Sequence, residues 1–252
     1  MQMKLIDVSY HNGNINFAKV KETGVEGVII RAGYGFKTID KCFYNNITNA
    51  IATGLHIGIY WFGYASTVQQ AQHEAKYLVS LLKDYKGQID LPIYYDWEYD
   101  SYDYVKEHYG VKATKELVSN MTRAFCEVLE NNGYFSGFYA NIDYLNNFYT
   151  NSVKERFTTW VAQWGSKCTY QGNYAIWQYT DKDKINGITG NVDSNYLYSD
   201  LPTIIKNGGY NGYGKVTIDT SKFIYDVNQD GVIDEKDLKA LEDYLRKQGV
   251  ID

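Results

Sequence analysis

Eight short apolar runs, each followed by a longer polar or amphipathic stretch, recur along residues 4–197. They lie at 4–9 (KLIDVS), 27–33 (GVIIRAG), 56–63 (HIGIYWFG), 90–97 (DLPIYYDW), 135–141 (FSGFYAN), 158–164 (TTWVAQW), 174–179 (YAIWQY) and, more weakly, 191–197 (NVDSNYL). Short apolar runs alternating with helix-like stretches are the pattern of β/α units rather than of a sandwich. Amphipathic helices are predicted over 41–53 and 67–85. In the second, Ala71, Ala75, Leu78, Leu81 and Leu82 keep helical spacing after an N-cap residue, Ser66 or Thr67. The strongest helical period lies at 113–131, with Leu117, Met121, Phe125, Val128 and Leu129 on one side and Asn132-Gly133 as its stop. The connections 165–173 and 180–190 are too short or too polar for full helices, so one side of the barrel is expected to be irregular.

The expected fold class is therefore α/β: an irregular (β/α)8-type barrel over residues 1–206, with a small C-terminal appendage over 219–252. Between them the glycines of NGGYNGYG, residues 207–214, read as a linker extending to 218.

Composition narrows the function. With 44% hydrophobic and 22% charged residues the 252-residue chain is ordinary globular protein, long enough for one large domain and a small addition. No apolar run approaches the roughly 20 residues of a membrane span, and MQMKLIDVSY lacks the apolar core of a signal peptide. A soluble chain is expected, reaching its target by holin-type release or after loss of a leader. Cys42, Cys126 and Cys168 form no Cys-x-x-Cys pair, the four histidines show no metal-ligand spacing, and no Gly-x-Ser-x-Gly elbow or phosphate-binding glycine loop occurs. Hydrolysis by Ser, Cys or zinc has little support. The net charge of −5 is concentrated in 219–252, which hold nine acids and five bases, so neither nucleic acid nor a membrane is an expected partner. The 26 tyrosines are either sugar-stacking platforms or a codon bias.

One run breaks its own pattern. PIYYDWEYD, residues 92–100, begins as a buried strand yet carries Asp96 and Glu98, which with Tyr94 point to one face. In a barrel of parallel strands, reactive groups gather at the carboxyl-terminal mouth. Asp7 ends the first strand and Asp193 lies in the last, its neighbour in a closed barrel, so four acids are expected at one mouth. The alternative reading of Asp7 and Asp193 is as turn or cap residues. Crowded carboxylates raise at least one pKa, and a protonated acid beside an ionised one is what glycosidic cleavage requires.

The succession DVSYHNG, GVIIRAGYG, GIYWFGYA, LPIYYDWE and WQYT…GITGNVDSN resembles glycoside hydrolase family 25, the muramidases, over about residues 4–200. The resemblance implies an irregular (β/α) barrel that cleaves the β-1,4 bond between N-acetylmuramic acid and N-acetylglucosamine in peptidoglycan glycan strands. It implies Glu98 as general acid, Asp96 as the group that stabilises positive charge near the anomeric carbon, and Asp7 and Asp193 as two further groove acids. An Asp-x-Glu pair suits participation by the substrate's own N-acetyl group, oriented by Asp96; direct attack by an enzyme group is the other course. Tyr34, Tyr60, Tyr139, Trp164 and Gln178 are candidate sugar contacts, or else barrel packing. Tyr60-Trp61-Phe62 departs from the Tyr-His-Phe of many members.

In the tail, Asp226, Asn228, Asp230, Asp234 and Asp237 fall at positions 1, 3, 5, 9 and 12 of a calcium loop, with Gly231 at the sixth and the Val232 carbonyl at the seventh. Structural Ca2+ is expected there, and no cofactor for catalysis. Asp at position 12, followed by a helix with Leu238, Leu241, Tyr244 and Leu245 on one side, is similar to a dockerin type I repeat, of which only one copy is present. Such a tail could dock on a protein or on the catalytic domain. The expected function is a peptidoglycan muramidase, a phage endolysin or a bacterial autolysin. The alternatives are a non-catalytic wall-binding or scaffold-docking barrel, and a chitinase, whose pattern needs acids where Leu91 and Tyr94 stand.

Overall fold

The computed structural model describes residues 2–215, 227–228, 230–232 and 234–247. It divides into two compact units, Met1–Lys215 and Val216–Asp252.

The first unit holds nine strands: β1 (Met3–Val8), β2 (Gly27–Tyr34), β3 (Thr38–Ile39), β4 (His56–Phe62), β5 (Ile93–Asp96), β6 (Ser136–Asn141), β7 (Thr158–Ala162), β8 (Ile176–Asp183) and β9 (Val192–Leu197). Eight of them form a closed barrel in the order β1-β2-β4-β5-β6-β7-β8-β9, with β9 paired back to β1; β3 is a two-residue strand folded against the end of β2. The eight predicted runs are these eight barrel strands. Their orientation is not uniform. Strands β1 to β8 of the barrel run parallel, whereas β9 is antiparallel to both β8 and β1. The cause is the connection: residues 184–191 are fewer than the dozen or so a parallel crossover needs, so the chain can only turn back.

Strict alternation divides the side chains. Ile6, Val8, Val28, Ile30, Tyr95 and Val161 point outward into the main core beneath the helices, while Leu5, Ile29, Tyr94, Trp160, Ile176 and Leu197 fill the barrel interior. Because the period is two, the next inward position on each strand lies one layer nearer the mouth. Those positions are Asp7, Arg31, Tyr60, Asp96, Tyr139 and Gln178.

Helices α2 (Phe43–Thr53), α3 (Val68–Leu82) and α5 (Lys115–Glu130) occupy the predicted segments, α3 and α5 being N-capped by Thr67 and Thr114. Five helices of this unit carried no sequence expectation: α1 (Phe17–Glu22), α4 (Tyr99–Tyr109), α6 (Ile142–Asn147), α7 (Asn151–Arg156) and α8 (Leu201–Gly208). In α4 only Ser101 and Val105 are fully buried, which leaves little hydrophobic period to read.

The expected linker is corrected in part. Residues 207–214 are packed, not extended: α8 runs to Gly208, a 3-10 turn spans Tyr210–Gly212, and Asn211 is completely buried. Its Nδ2 donates to the carbonyls of Ile89 and Leu91, its Oδ1 accepts from the Phe135 N–H, and its backbone pairs with Gly133 and Gly87. The glycines here serve a tight turn, with φ of +73° at Gly209 and +84° at Gly212.

In the second unit, α9 (Glu235–Lys247) covers most of the helix expected after the acidic loop.

Candidate active site

Asp7 ends its strand inside the barrel, buried, and its Oδ2 accepts two amide hydrogen bonds, from Gln178 Nε2 at 3.0 Å and Asn195 Nδ2 at 2.9 Å. The neighbours fix both amides. Trp160 Nε1, which can only donate, reaches Asn195 Oδ1 at 2.8 Å, and Trp164 Nε1 and Tyr139 OH reach Gln178 Oε1, each at 3.1 Å. The two NH2 groups are thereby turned to Asp7. The reversed β9 places Asp193 at its start, in register with Asp7, and the two side chains are hydrogen-bonded. Burial and the Asp7 charge push the Asp193 carboxyl up to about 9, and burial raises the Asp7 carboxyl as well, against the hydrogen bonds from Asn195 and Gln178.

Asp96 ends β5 and faces inward with Tyr94. Burial first, then the charges of Glu98 and Asp7, raise its carboxyl well above the usual range, and its Oδ1 is buried with no hydrogen-bond partner. Glu98 lies beyond the strand, as the N-cap residue of α4, and its backbone is still extended (φ −140°, ψ −158°), so the alternation continues to it. Ser101 Oγ accepts the Glu98 backbone N–H at 3.1 Å. Burial, with the charges of Asp100 and Asp7, lifts the half-buried Glu98 carboxyl to about 7. The four acids therefore lie within electrostatic reach at one mouth, and burial raises the carboxyl of every one of them.

The predicted sugar contacts divide. Tyr60 and Tyr139 are inward and buried, both ringed against Trp160, and their hydroxyls face the acids. Gln178 is buried and serves Asp7. Trp164 stands 60% exposed at the rim. Together with Tyr99, Tyr139, Asn141 and Gln163 it walls a cavity of about 440 Å³ that opens onto Glu98. Tyr34 lies at the end of β2, away from that cavity, on the wall of another.

Two site residues were missed by sequence reasoning, Arg31 and Asn195. Arg31 is the single cation of the inward layer. Its Nε donates to Asp40 Oδ2 at 2.8 Å, its guanidinium lies over the rings of Tyr10 and Tyr34 at 4.9 and 5.4 Å, and its buried Nη2 has no partner. The signal was available: Arg31 stands two residues beyond inward Ile29, as Asp7 does beyond Leu5.

In the second unit, Asp226 lies outside the described residues. Gly231 has φ +83° at the predicted turn. The buried Asp237 carboxylate accepts the N–H groups of Val227, Asn228 and Asp234, and Lys236 Nζ lies 3.7 Å from Asp234 and 4.0 Å from Asp230. Among the described residues no group of three His, Cys, Asp or Glu converges as a metal site. Asn228, Asp230 and Asp234 supply oxygens of the kind calcium takes, but Asp237 is engaged as a cap, so the fit is incomplete. No helix among the described residues is long and apolar enough to cross a membrane.

Comparison with known proteins gives one family: the model for glycosyl hydrolases family 25 matches residues 6–188. An autolytic lysozyme of Clostridium acetobutylicum is 30% identical over 196 residues, covering 76% of this chain and 54% of that protein. The modular autolysin LytC of Streptococcus pneumoniae, solved in complex with a synthetic peptidoglycan ligand, is 28% identical, with a TM-score of 0.69 over 78% of this chain and 47% of its own. A bacterial lysozyme from Streptomyces coelicolor shares the fold at 23% identity and a TM-score of 0.68, covering 81% of this chain and 97% of that one. The chain thus spans about half the length of the first two.

Proposed function

The chain belongs to glycosyl hydrolases family 25, and on that premise we propose that it is a peptidoglycan muramidase, cleaving the β-1,4 bond between N-acetylmuramic acid and N-acetylglucosamine as an autolysin or endolysin acts on the cell wall. The observation that carries the reading is Glu98: a carboxyl held at about 7 at the barrel mouth, on the wall of an open cavity. A group so poised is protonated in a useful fraction at neutral pH and can hand its proton to the departing glycosidic oxygen. Asp96 lies at the end of β5 within electrostatic reach of Glu98, which suits the role of stabilising positive charge near the anomeric carbon and orienting the substrate's acetamido group. Burial raises the Asp7 carboxyl, the amides of Asn195 and Gln178 oppose that rise, and the Asp7 charge helps to hold Glu98 up. Tyr139 and Trp164 offer faces and polar edges to a sugar. No cofactor enters this chemistry.

Glu98→Gln is expected to fold and to lower wall lysis about a hundredfold or more, the usual scale for losing a general acid. The product identifies the bond: wild-type digestion should release reducing ends on muramic acid. New amino groups instead would make the chain an amidase or peptidase, and near-normal clearing by Glu98→Gln would remove that residue from its role.

The C-terminal segment 219–252 we read as a separate dockerin-like calcium repeat. What supports this is the order of oxygen donors at Asp226, Asn228, Asp230, Val232, Asp234 and Asp237 around Gly231, followed by a helix. Calcium binding would draw Asp237 away from its backbone partners. The docking partner would be a protein or the catalytic barrel.

A further inference from the structure

Across the strand end from the Glu98 cavity lies a second hollow, of about 480 Å³, which the chemistry described above does not use. Its walls are aromatic: Tyr34 and Phe36 from the β2–β3 hairpin, Tyr64 after β4, and Tyr104 and Tyr109 from α4, with Lys37 at the edge. Three separate features mark it as built for a ligand. Phe36 and Tyr109 are 61% and 50% exposed, so folding gains little from either ring. Lys37, which holds Phe36 at the hairpin tip with its ammonium 5.1 Å from the ring, has φ of +141°, a conformation an L residue with a side chain adopts only under strain. The floor is rigid, since Glu74 accepts the Tyr64 N–H at 2.9 Å and the Tyr95 hydroxyl at 3.0 Å.

The hollow lies beside the catalytic mouth. Tyr64 packs on Phe62, whose ring lies 5.2 Å away and whose backbone is the register partner of Asp96. Tyr34, edge-on to Tyr64 at 6.4 Å, lies beneath the Arg31 guanidinium. A chain lying over Asp96 and Glu98 therefore meets the Trp164 cavity on one side and this hollow on the other. Phenol rings with hydroxyl edges and a lone cation suit the flat apolar faces and hydroxyls of sugars; a polyanion would need more positive charge.

Resting on the muramidase reading, we propose that this hollow is a distal subsite that binds sugars of the glycan strand beyond those at the cleaved bond, making the protein selective for long strands. The test uses peptide-free peptidoglycan strands of four and eight sugars, titrated calorimetrically into the full chain carrying Glu98→Gln. The longer strand should bind about tenfold tighter, and adding Phe36→Ala or Tyr109→Ala should shrink that advantage to about twofold, with Phe36→Tyr restoring it. Equal affinity for the two lengths, or an advantage untouched by both alanine variants, overturns the proposal. So does an advantage that appears only when stem peptides are attached, which would give the hollow to the peptide. Failure of the wild type to cleave either strand would count against the muramidase reading, whereas cleavage without a length advantage would count against the subsite alone.

Discussion

Asp7 and Asp193 stand opposite each other in register on β1 and β9, and each raises or tempers the carboxyl of the other. Burial, then the charges of Asp100 and Asp7, hold Glu98 at about 7, so Asp7 contributes to that value. Asp7→Asn should therefore move the high-pH limb of kcat/KM from about 7 toward the ordinary glutamate range, in addition to lowering the rate. A pH–rate profile on solubilised wall reads this directly; an unmoved limb would show that Asp7 does not act on Glu98.

Raised carboxyls also shape stability. Glu98 and Glu74 are held near 7 and 8, above the ordinary glutamate value, so the folded state binds their protons more tightly than the unfolded chain does. Their contribution is fully present below about pH 4 and is lost as the pH rises through 7 to 8. Urea midpoints should fall between pH 5 and pH 8. Glu74→Gln, which can keep partners at both the Tyr64 N–H and the Tyr95 hydroxyl, should flatten the upper part of that fall.

Asn211 ties its own segment to two others through its side chain alone, at Ile89 and Leu91 before β5 and at Phe135 before β6. Asn211→Ala leaves buried groups unpaired, and it keeps a non-glycine residue at φ +55°. A loss of about 3 kcal/mol in urea unfolding is expected. A loss below about 1 kcal/mol would show that the segment is held by other contacts.

For the tail, calcium should protect the segment after Gly214 from protease and EDTA should expose it, because carboxylates gathered in one loop repel unless a cation lies among them. Residues 1–200 should stay resistant and lytic in both conditions. Equal protection with EDTA and calcium would remove the metal site.

The barrel was legible because a period of two is unmistakable in short strands bounded by polar stretches, and the same period carried Asp7 and Asp96 inward. It could not reveal the direction of β9, since alternation is identical in parallel and antiparallel strands; only the length of 184–191 decides that. Arg31 and Asn195 escaped because attention went to acids, although both obey the same inward rule. Helix α4 hid behind tyrosines and charges that stay at the surface. The linker expectation for 207–214 failed for a different reason: a glycine-rich stretch is loose in sequence, but the partners of Asn211 lie about 76 to 122 residues away and leave no local trace.

The place of β9 between β1 and β8 makes the acid cluster depend on the last barrel strand in the sequence. The barrel closes only when β9 pairs with both β1 and β8, and Asp7 meets Asn195 and Asp193 only then. A chain lacking residues 192–197 would have Asp96 and Glu98 but neither the closed wall nor Asn195 and Asp193 beside Asp7, so the acid cluster is completed in one step, by the last barrel strand in the sequence.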